Sequence, residues 1–226
     1  MSAVDSSPWP LFGIYGASGC GRAILPIAAA MLSTRFGAAS YELVFVDDAP
    51  PAPIVNGRRV LTYREFIATT APSRAACIAI ADSRVRQRLA DRCRNDGVSS
   101  LTVIAPNAVV LDDVQIGEGA ILAPFVTLTS NIRIGRQFHA NLYSYVEHDC
   151  VIGDFVTFAP AVHCNGNVAI EDHAYLGAGC LLRQGRPGAP LVIGRGAVIG
   201  MGAVVTQSVP AGVTVVGNPA RPAHKA

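Results

Sequence analysis

Residues 116–152 read IGEGAILAPFVTLTSNIRIGRQFHANLYSYVEHDCVI, and an apolar side chain returns at every sixth position of this stretch. The same period continues on both sides: it runs without a break over residues 104–187, resumes at Ile193 and fades at Val205. A six-residue period is typical of a parallel β-helix of triangular section, in which each repeat supplies one short strand and one turn. The sequence therefore predicts a left-handed parallel β-helix over residues 104–226.

Glycine follows the repeating apolar residue in several repeats, as in Ile116-Gly117 and Ile134-Gly135. We expect these glycines to lie where the chain turns a corner with a positive φ, which glycine adopts at little cost. The segment 183–192 (RQGRPGAPLV) interrupts the period. Its glycines and prolines predict a loop that extends from a corner toward a ligand or a neighbouring subunit.

A different domain precedes the repeats, over residues 1–103. Its first part predicts a strand at 11–15, a helix to about Phe36 and a second strand at 43–46. Further along we expect a strand at 74–81, a basic amphipathic helix at 83–94 and a strand at 101–104, with residues 50–56 as a loop. This order of elements is typical of a small Rossmann-like α/β domain with a parallel sheet.

The strand at 11–15 ends in a glycine turn, which we define as Gly16-Ala17-Ser18-Gly19-Cys20-Gly21, and the strand at 43–46 ends in Asp47-Asp48. Glycines in such a turn let the backbone approach a phosphate, and a helix N-terminus stabilises its charge. Asp47 or Asp48 could then accept hydrogen bonds from a ribose or a base. The alternative is that the glycines only pack a helix against a sheet, because the spacing is not that of the dinucleotide fingerprint.

Composition excludes several classes of protein. A formal net charge of +2 gives no reason to expect a nucleic-acid partner, and no run of about 18 apolar residues predicts a membrane span. The N-terminus lacks the features of a secretory signal, so we expect a cytoplasmic protein. The six cysteines contain no C-x-x-C pair, and Cys150, Cys164 and Cys180 fall at apolar positions, which favours buried thiols in a reducing compartment.

The five histidines are the candidate bases. His148 stands out because carboxylates flank it on both sides, and a carboxylate can orient an imidazole and stabilise its protonated form. We expect His139 and His163 to face outward on a flat side, His173 to lie at a surface corner and His224 to lie in the tail. Their spacing does not match a zinc site, so no metal is expected. A short-chain reductase is excluded because no tyrosine is followed four residues later by lysine.

The combined pattern resembles the sialic acid O-acetyltransferase family and its relatives, the bacterial nucleotide-amino-sugar N-acetyltransferases. The resemblance is carried by the glycine turn, by YVEHDCVIGDF at 145–155 and by CNGNV at 164–168. It implies a homotrimer with acetyl-CoA between two subunits. It further implies that His148 is the general base, that Asp149 orients it, and that the backbone N–H of Gly166 binds the thioester carbonyl.

The resemblance also implies two sets of binding residues. Those expected to contact coenzyme A are Asn165, Gly166, Gly177, Ala178, Gly179, Gly200, Asn218 and Pro219. Those expected to hold a nucleotide sugar are Gly16, Ala17, Ser18, Gly19, Cys20, Gly21, Asp47 and Asp48. Two departures from the family pattern concern the acceptor: Cys20 stands where histidine is common, and Thr157 replaces a further histidine near the thioester.

We therefore expect an acetyl-CoA-dependent transferase that N-acetylates a nucleotide-linked 4-amino sugar for surface glycan biosynthesis. One alternative is O-acetylation of a sugar of the sialic acid type. Another is a non-catalytic β-helix scaffold, which acetyl-CoA would not stabilise.

Overall fold

A computed structural model describes residues 7–50 and 52–223. The chain divides into two compact units, Met1–Pro106 and Asn107–Ala226. The sequence pattern placed this division three residues earlier, where the hexapeptide period begins.

The first unit contains a six-stranded sheet in the order β3-β4-β2-β1-β5-β6. Its pairs are parallel except for the short hairpin of β3 with β4. The helices and strands of the whole unit, in chain order, are β1 (Leu11–Tyr15), α1 (Gly19–Phe36), β2 (Glu42–Val46), β3 (Ile54–Val55), β4 (Arg58–Leu61), α2 (Tyr63–Ala68), β5 (Arg74–Ile78), α3 (Ser83–Asn95), β6 (Ser99–Ser100) and β7 (Val103–Ile104).

The sequence missed four of these elements. The predicted loop at 50–56 contains β3, and β4, α2 and β6 were not expected; of the strand predicted at 101–104, only Val103 and Ile104 form one, which is β7. All four missed elements are too short for a periodic signal to emerge. The local sign of α2 was its capping box, in which the Thr62 hydroxyl accepts from the Glu65 N–H and the Glu65 carboxylate accepts from the Thr62 N–H.

The second unit is a parallel β-helix, as predicted, with three sheets along its sides that are parallel except for the terminal pair of β24 with β25. In the six-stranded sheet of this unit, Tyr145 pairs with Thr127 on one side and with His163 on the other, so one coil takes 18 residues. The strands are β8 (Val109–Val110), β9 (Val114–Ile116), β10 (Ile121–Leu122), β11 (Thr127–Leu128), β12 (Ile132–Ile134), β13 (His139–Ala140), β14 (Tyr145–Val146), β15 (Val151–Ile152), β16 (Thr157–Phe158), β17 (His163–Cys164), β18 (Val168–Ile170), β19 (Tyr175–Leu176), β20 (Leu181–Leu182), β21 (Leu191–Ile193), β22 (Val198–Ile199), β23 (Val204–Val205), β24 (Thr214–Val216) and β25 (Arg221–Pro222).

The prediction that the repeat glycines adopt a positive φ was wrong. Gly117 and Gly135 do not have positive φ values; a Cβ on either would lie within 2.8 Å of backbone atoms in the next coil. They are needed because adjacent coils approach closely. Positive φ falls instead near the end of most corners, one or two residues before the next strand, at a residue that is often not glycine. Examples are Asn131, Gln137, Tyr143, Asp149, Phe155, Asn167 and His173.

The bore is filled by the repeating apolar side chains, such as Leu128, Val146 and Phe158, which are at most 1% exposed. Cys150, Cys164 and Cys180 are buried free thiols, as their repeat positions predicted. Within residues 7–50 and 52–223, no helix is long and apolar enough to cross a membrane.

Candidate active site

His148 lies at the corner between β14 and β15. The next residue, Asp149, has a φ of 59°, and this left-handed turn lets its side chain fold back toward the imidazole. Asp149 Oδ2 lies 2.7 Å from His148 Nδ1. The His148 side chain is 43% exposed, so its other nitrogen, Nε2, remains available to a substrate.

The hydrogen bond to Asp149 raises the pKa of His148 above its ordinary value. The negative charges of Asp149 and Glu147 add to this effect, while partial burial opposes it. With Nδ1 held as the donor toward a carboxylate, the imidazole is oriented and its basicity increased. These are the properties of a general base.

Gly166, one coil further along, lies directly against this imidazole. A Cβ on Gly166 would lie 2.6 Å from His148 Cε1 and 2.7 Å from Nε2, so no other residue type fits beside the ring as it stands. The Gly166 carbonyl accepts from the Gly185 N–H at 2.9 Å. Its own N–H has no acceptor among the described residues.

A base and an unpaired backbone donor therefore lie side by side at one corner. Acyl transfer needs both: a base for the attacking group and a donor for the oxyanion that forms on the carbonyl. His148, Asp149 and Gly166 were all candidates from the sequence, and the structure brings them together. Their roles in catalysis remain predictions.

Two of the other histidines are more buried than the sequence suggested. His139 was expected to face outward on a flat side and His173 to lie at a surface corner, but they are only 3% and 9% exposed. His139 pairs with Ile121 and Thr157 on the adjacent strands, and both neighbours are as buried as His139 itself. The His173 ring stacks on Phe155. His163 is half-buried and stacks on Tyr145. His224 lies outside the described residues, and within those residues no cluster of three or more His, Cys, Asp or Glu side chains could hold a metal.

The residues predicted to contact coenzyme A do not lie at a single corner of the β-helix. Asn165 and Gly166 share the corner column of His148. Gly177, Ala178 and Gly179 follow β19, and Gly200 follows β22, so these four residues occupy a different corner of the triangular section. Asn218 and Pro219 are exposed and joined by a cis peptide in the turn between β24 and β25.

The predicted loop at 183–192 is a loop over 183–190, because Leu191 and Val192 belong to β21. It is closed by a bridge between Arg186 and Ala189. It begins within the coil that follows Gly166, where Gly185 donates to the Gly166 carbonyl. Its contact with a ligand or a neighbouring subunit stays a prediction.

In the first unit, the glycine turn is held by Asp47. Asp47 Oδ2 accepts from the Ala17 N–H at 2.9 Å and Oδ1 accepts from the Ala49 N–H at 3.0 Å. Gly16 has a φ of 108°, and a Cβ on Gly21 would clash with the Gly16 carbonyl oxygen. The turn therefore depends on glycine at both ends, whereas Ser18 and Gly19, at the start of α1, are partly or fully exposed.

Asp48 is occupied by protein donors. Its Oδ2 accepts from the Tyr15 hydroxyl at 2.7 Å and from Arg92 Nη1 at 2.9 Å, and its Oδ1 accepts from the Tyr63 N–H at 3.0 Å. Burial acts to raise the pKa of Asp48, but these hydrogen bonds outweigh it and lower the pKa. Arg92 also lies 3.9 Å above the centre of the Tyr63 ring. Asp48 thus has a structural role in this cluster, and Asp47 lies closer to the glycine turn.

Cys20 is half-buried at the start of α1, and burial raises the pKa of its thiol. Beneath this turn the fully buried Arg86 donates to the Ile80 and Ala81 carbonyls at 2.7 and 3.1 Å. The sequence of α3 predicted only a basic amphipathic helix. An inward-pointing arginine gave no separate signal.

Comparison with known proteins identifies the family. The model described as PglD N-terminal domain matches residues 12–93, and the model of bacterial transferase hexapeptide repeats matches residues 102–130. A GDP-perosamine N-acetyltransferase of Escherichia coli O157:H7 is 52% identical over 211 residues, which cover 93% of this chain and 95% of the relative. The chain belongs to the nucleotide-sugar N-acetyltransferase family.

Solved structures of this family have the same fold. WeeI from Acinetobacter baumannii AYE is 53% identical, with a TM-score of 0.89 over 95% of this chain and 100% of that one. PerB from Caulobacter crescentus, solved in complex with CoA and GDP-perosamine, is 26% identical, with a TM-score of 0.72 over 94% of this chain and 97% of that one.

The predicted family is thereby confirmed, together with the prediction of an acetyl-CoA-dependent acetyltransferase. Membership in an N-acetyltransferase family also decides between the two sugar chemistries left open by the sequence, in favour of N-acetylation.

Proposed function

We propose that this chain transfers the acetyl group of acetyl-CoA to the amine of GDP-perosamine, giving an amide and free CoA. The observation that carries the proposal is the contact between the His148 imidazole and Gly166, whose N–H is unpaired among the described residues. Similarity to a GDP-perosamine N-acetyltransferase over nearly the whole chain supports the choice of acceptor.

The reaction begins with His148. Because Nδ1 is held by Asp149, Nε2 removes a proton from the acceptor amine as the amine nitrogen attacks the thioester carbonyl carbon. The Gly166 N–H donates to the oxyanion that forms, an interaction worth about 3 kcal/mol. The tetrahedral intermediate then collapses, the carbon–sulfur bond breaks, and the thiolate of CoA takes the proton from the imidazolium.

We propose that the working form is a homotrimer. The coenzyme A contacts expected from the sequence lie at two corners of the β-helix, separated by one side of roughly 15–20 Å. One protomer would supply the corner of His148 and a neighbour the corner of Gly177 and Gly200. The stacked pair Phe125 and Tyr143, 52% and 60% exposed, forms an apolar surface that subunit contact would cover.

The six free cysteines are typical of a protein in a reducing compartment, which supports a cytoplasmic enzyme. Such an enzyme would modify the nucleotide sugar before it enters surface glycan synthesis.

The acceptor can be tested with a panel of substrates. With acetyl-CoA, we expect GDP-perosamine to be acetylated with a kcat/KM at least about 10²-fold above that of UDP- or dTDP-linked 4-amino sugars. A site that hydrogen-bonds guanine would leave polar groups unpaired against another nucleobase, and unpaired buried polar groups weaken transition-state binding. GDP alone should raise the Tm of the protein and UDP should not. Faster acetylation of sialic acid, or equal use of all three nucleotides, would contradict the proposed acceptor.

The pH dependence tests the role of Asp149. His148 acts as a base only when neutral, so kcat is lost as the pH falls through its pKa. Since the hydrogen bond to Asp149 raises that pKa, Asp149→Asn should move the acid limb of the kcat profile to lower pH. The same change weakens the orientation of the ring, and we expect the plateau of kcat to fall by about 10- to 100-fold.

Glu147→Gln is the matched control. It removes a neighbouring charge that also raises the pKa of His148 but leaves the hydrogen bond to Asp149 intact. The acid limb should move slightly in the same direction with no loss of plateau activity. An Asp149→Asn profile that is unshifted, or shifted to higher pH, would show that the measured limb does not belong to His148.

A further inference from the structure

Tyr145 makes a side-chain contact that the sequence did not reveal. Its hydroxyl donates to Asn165 Oδ1 at 3.0 Å, across 20 residues of chain. The two residues meet because Tyr145 pairs in register with His163, two residues before Asn165, and the rings of Tyr145 and His163 stack with centroids 5.0 Å apart.

The Asn165 side chain is held from both sides. Its Nδ2 donates to the Leu182 carbonyl at 2.8 Å, and since a carbonyl can only accept, the amide must present Oδ1 to Tyr145. Asn165 therefore connects the coil of Tyr145 to the coil of Leu182. Its two dihedral angles are fixed by two hydrogen bonds.

The peptide that follows Asn165 carries the N–H of Gly166. The carbonyl oxygen of this peptide accepts from the fully buried Cys150 thiol at 3.4 Å, so it points into the β-helix. In a trans peptide the N–H points opposite to the C=O. The Gly166 N–H must therefore point outward, on the side where the His148 ring lies.

We infer that Tyr145 and Asn165 form a positioning pair that fixes the direction of the Gly166 N–H toward the oxyanion. This inference rests on the proposed function and adds two residues to it. Asn165 then serves the reaction through the backbone it carries and does not bind coenzyme A through its side chain. Neither residue touches the reacting atoms.

Tyr145→Phe tests the pair with little disturbance, because it keeps the ring and its stacking on His163 and removes only the hydroxyl. With the oxyanion donor less well aligned, we expect kcat to fall about tenfold. The KM for acetyl-CoA should change by less than about twofold, since no contact with the donor is lost. The acid limb of the pH profile should stay in place, because the pair His148 and Asp149 is untouched.

Asn165→Ala removes both hydrogen bonds and should lower kcat further, by about 30- to 100-fold. The double variant should be no slower than Asn165→Ala alone, because Tyr145 acts only through Asn165. The control is Tyr175→Phe, which removes a hydroxyl that has no hydrogen-bond partner among the described residues. That variant should keep the parent kcat.

Three results would overturn the inference: an unchanged kcat for Tyr145→Phe, losses that multiply in the double variant, or a loss confined to KM. A melting curve shows whether each variant is folded, and Tyr145→Phe alone decides the matter if Asn165→Ala does not fold. Failure of this inference is separable from failure of the proposed function. If His148→Ala is inactive while Tyr145→Phe is fully active, only the positioning pair is wrong.

Discussion

His148→Ala is expected to lower kcat by about 10³- to 10⁴-fold, because it removes the group that takes the proton from the attacking amine. The KM for acetyl-CoA should change little, since the imidazole acts on the acceptor and not on the nucleotide of the donor. Steady-state kinetics with GDP-perosamine measures both quantities.

The variant should fold and assemble normally. The His148 side chain is 43% exposed, and its carbonyl, which accepts from the Asn167 N–H at 2.9 Å, is kept in alanine. We therefore expect an unchanged melting temperature and a particle mass of three chains of 23.6 kDa. Partial restoration of activity by added imidazole would identify the missing base. If the variant kept more than about a tenth of the parent kcat, His148 would not be the general base.

The β-helix could be predicted from sequence because its signal repeats. Each coil adds three apolar positions in register, so errors at single residues do not obscure the period. His148 could be proposed for a similar reason: Glu147 and Asp149 are its immediate neighbours, and a left-handed turn brings Asp149 back onto the ring. A local pattern was enough in both cases.

Side-chain contacts between coils could not be predicted from the sequence in this way. The partners Tyr145 and Asn165 are apart in sequence and meet only through the register of β14 with β17. The burial of His173 depends on its stacking with Phe155 one coil below. Neither relation follows from residue type, because any outward position of a repeat can hold a polar or an aromatic side chain.

The two aspartates after β2 show what could not be predicted from the sequence of the first unit. Asp47 and Asp48 are identical in sequence terms, and the sequence left open which of them meets a ligand. The structure separates them by their donors: Asp47 bonds the backbone of the glycine turn, whereas Asp48 accepts from Tyr15 and Arg92. Both side chains that occupy Asp48 come from elements whose packing the sequence did not specify.

Gly166→Ala should lower kcat by about 10²-fold while leaving the protein folded. The added Cβ would lie 2.6 Å from His148 Cε1, too close for the ring to stay where it is. The atom it meets belongs to a half-exposed side chain, so the imidazole can swing away at small cost in stability. The base is then displaced by about an ångström from its working position, a displacement that can cost about 10²-fold in rate.

Gly135→Ala is the matched control, because there the obstacle includes backbone as well as the Asp154 carboxylate. A Cβ on Gly135 would lie 2.7 Å from the carbonyl carbon of Gly153, which cannot move without separating two coils. That variant should melt at a lower temperature yet keep its kcat while folded, the reverse of Gly166→Ala. Combining Gly166→Ala with His148→Ala should cost nothing beyond His148→Ala alone, since the ring that the methyl group displaces is already absent. A Gly166→Ala enzyme with the parent kcat would mean that the contact between this glycine and the imidazole has no part in the reaction.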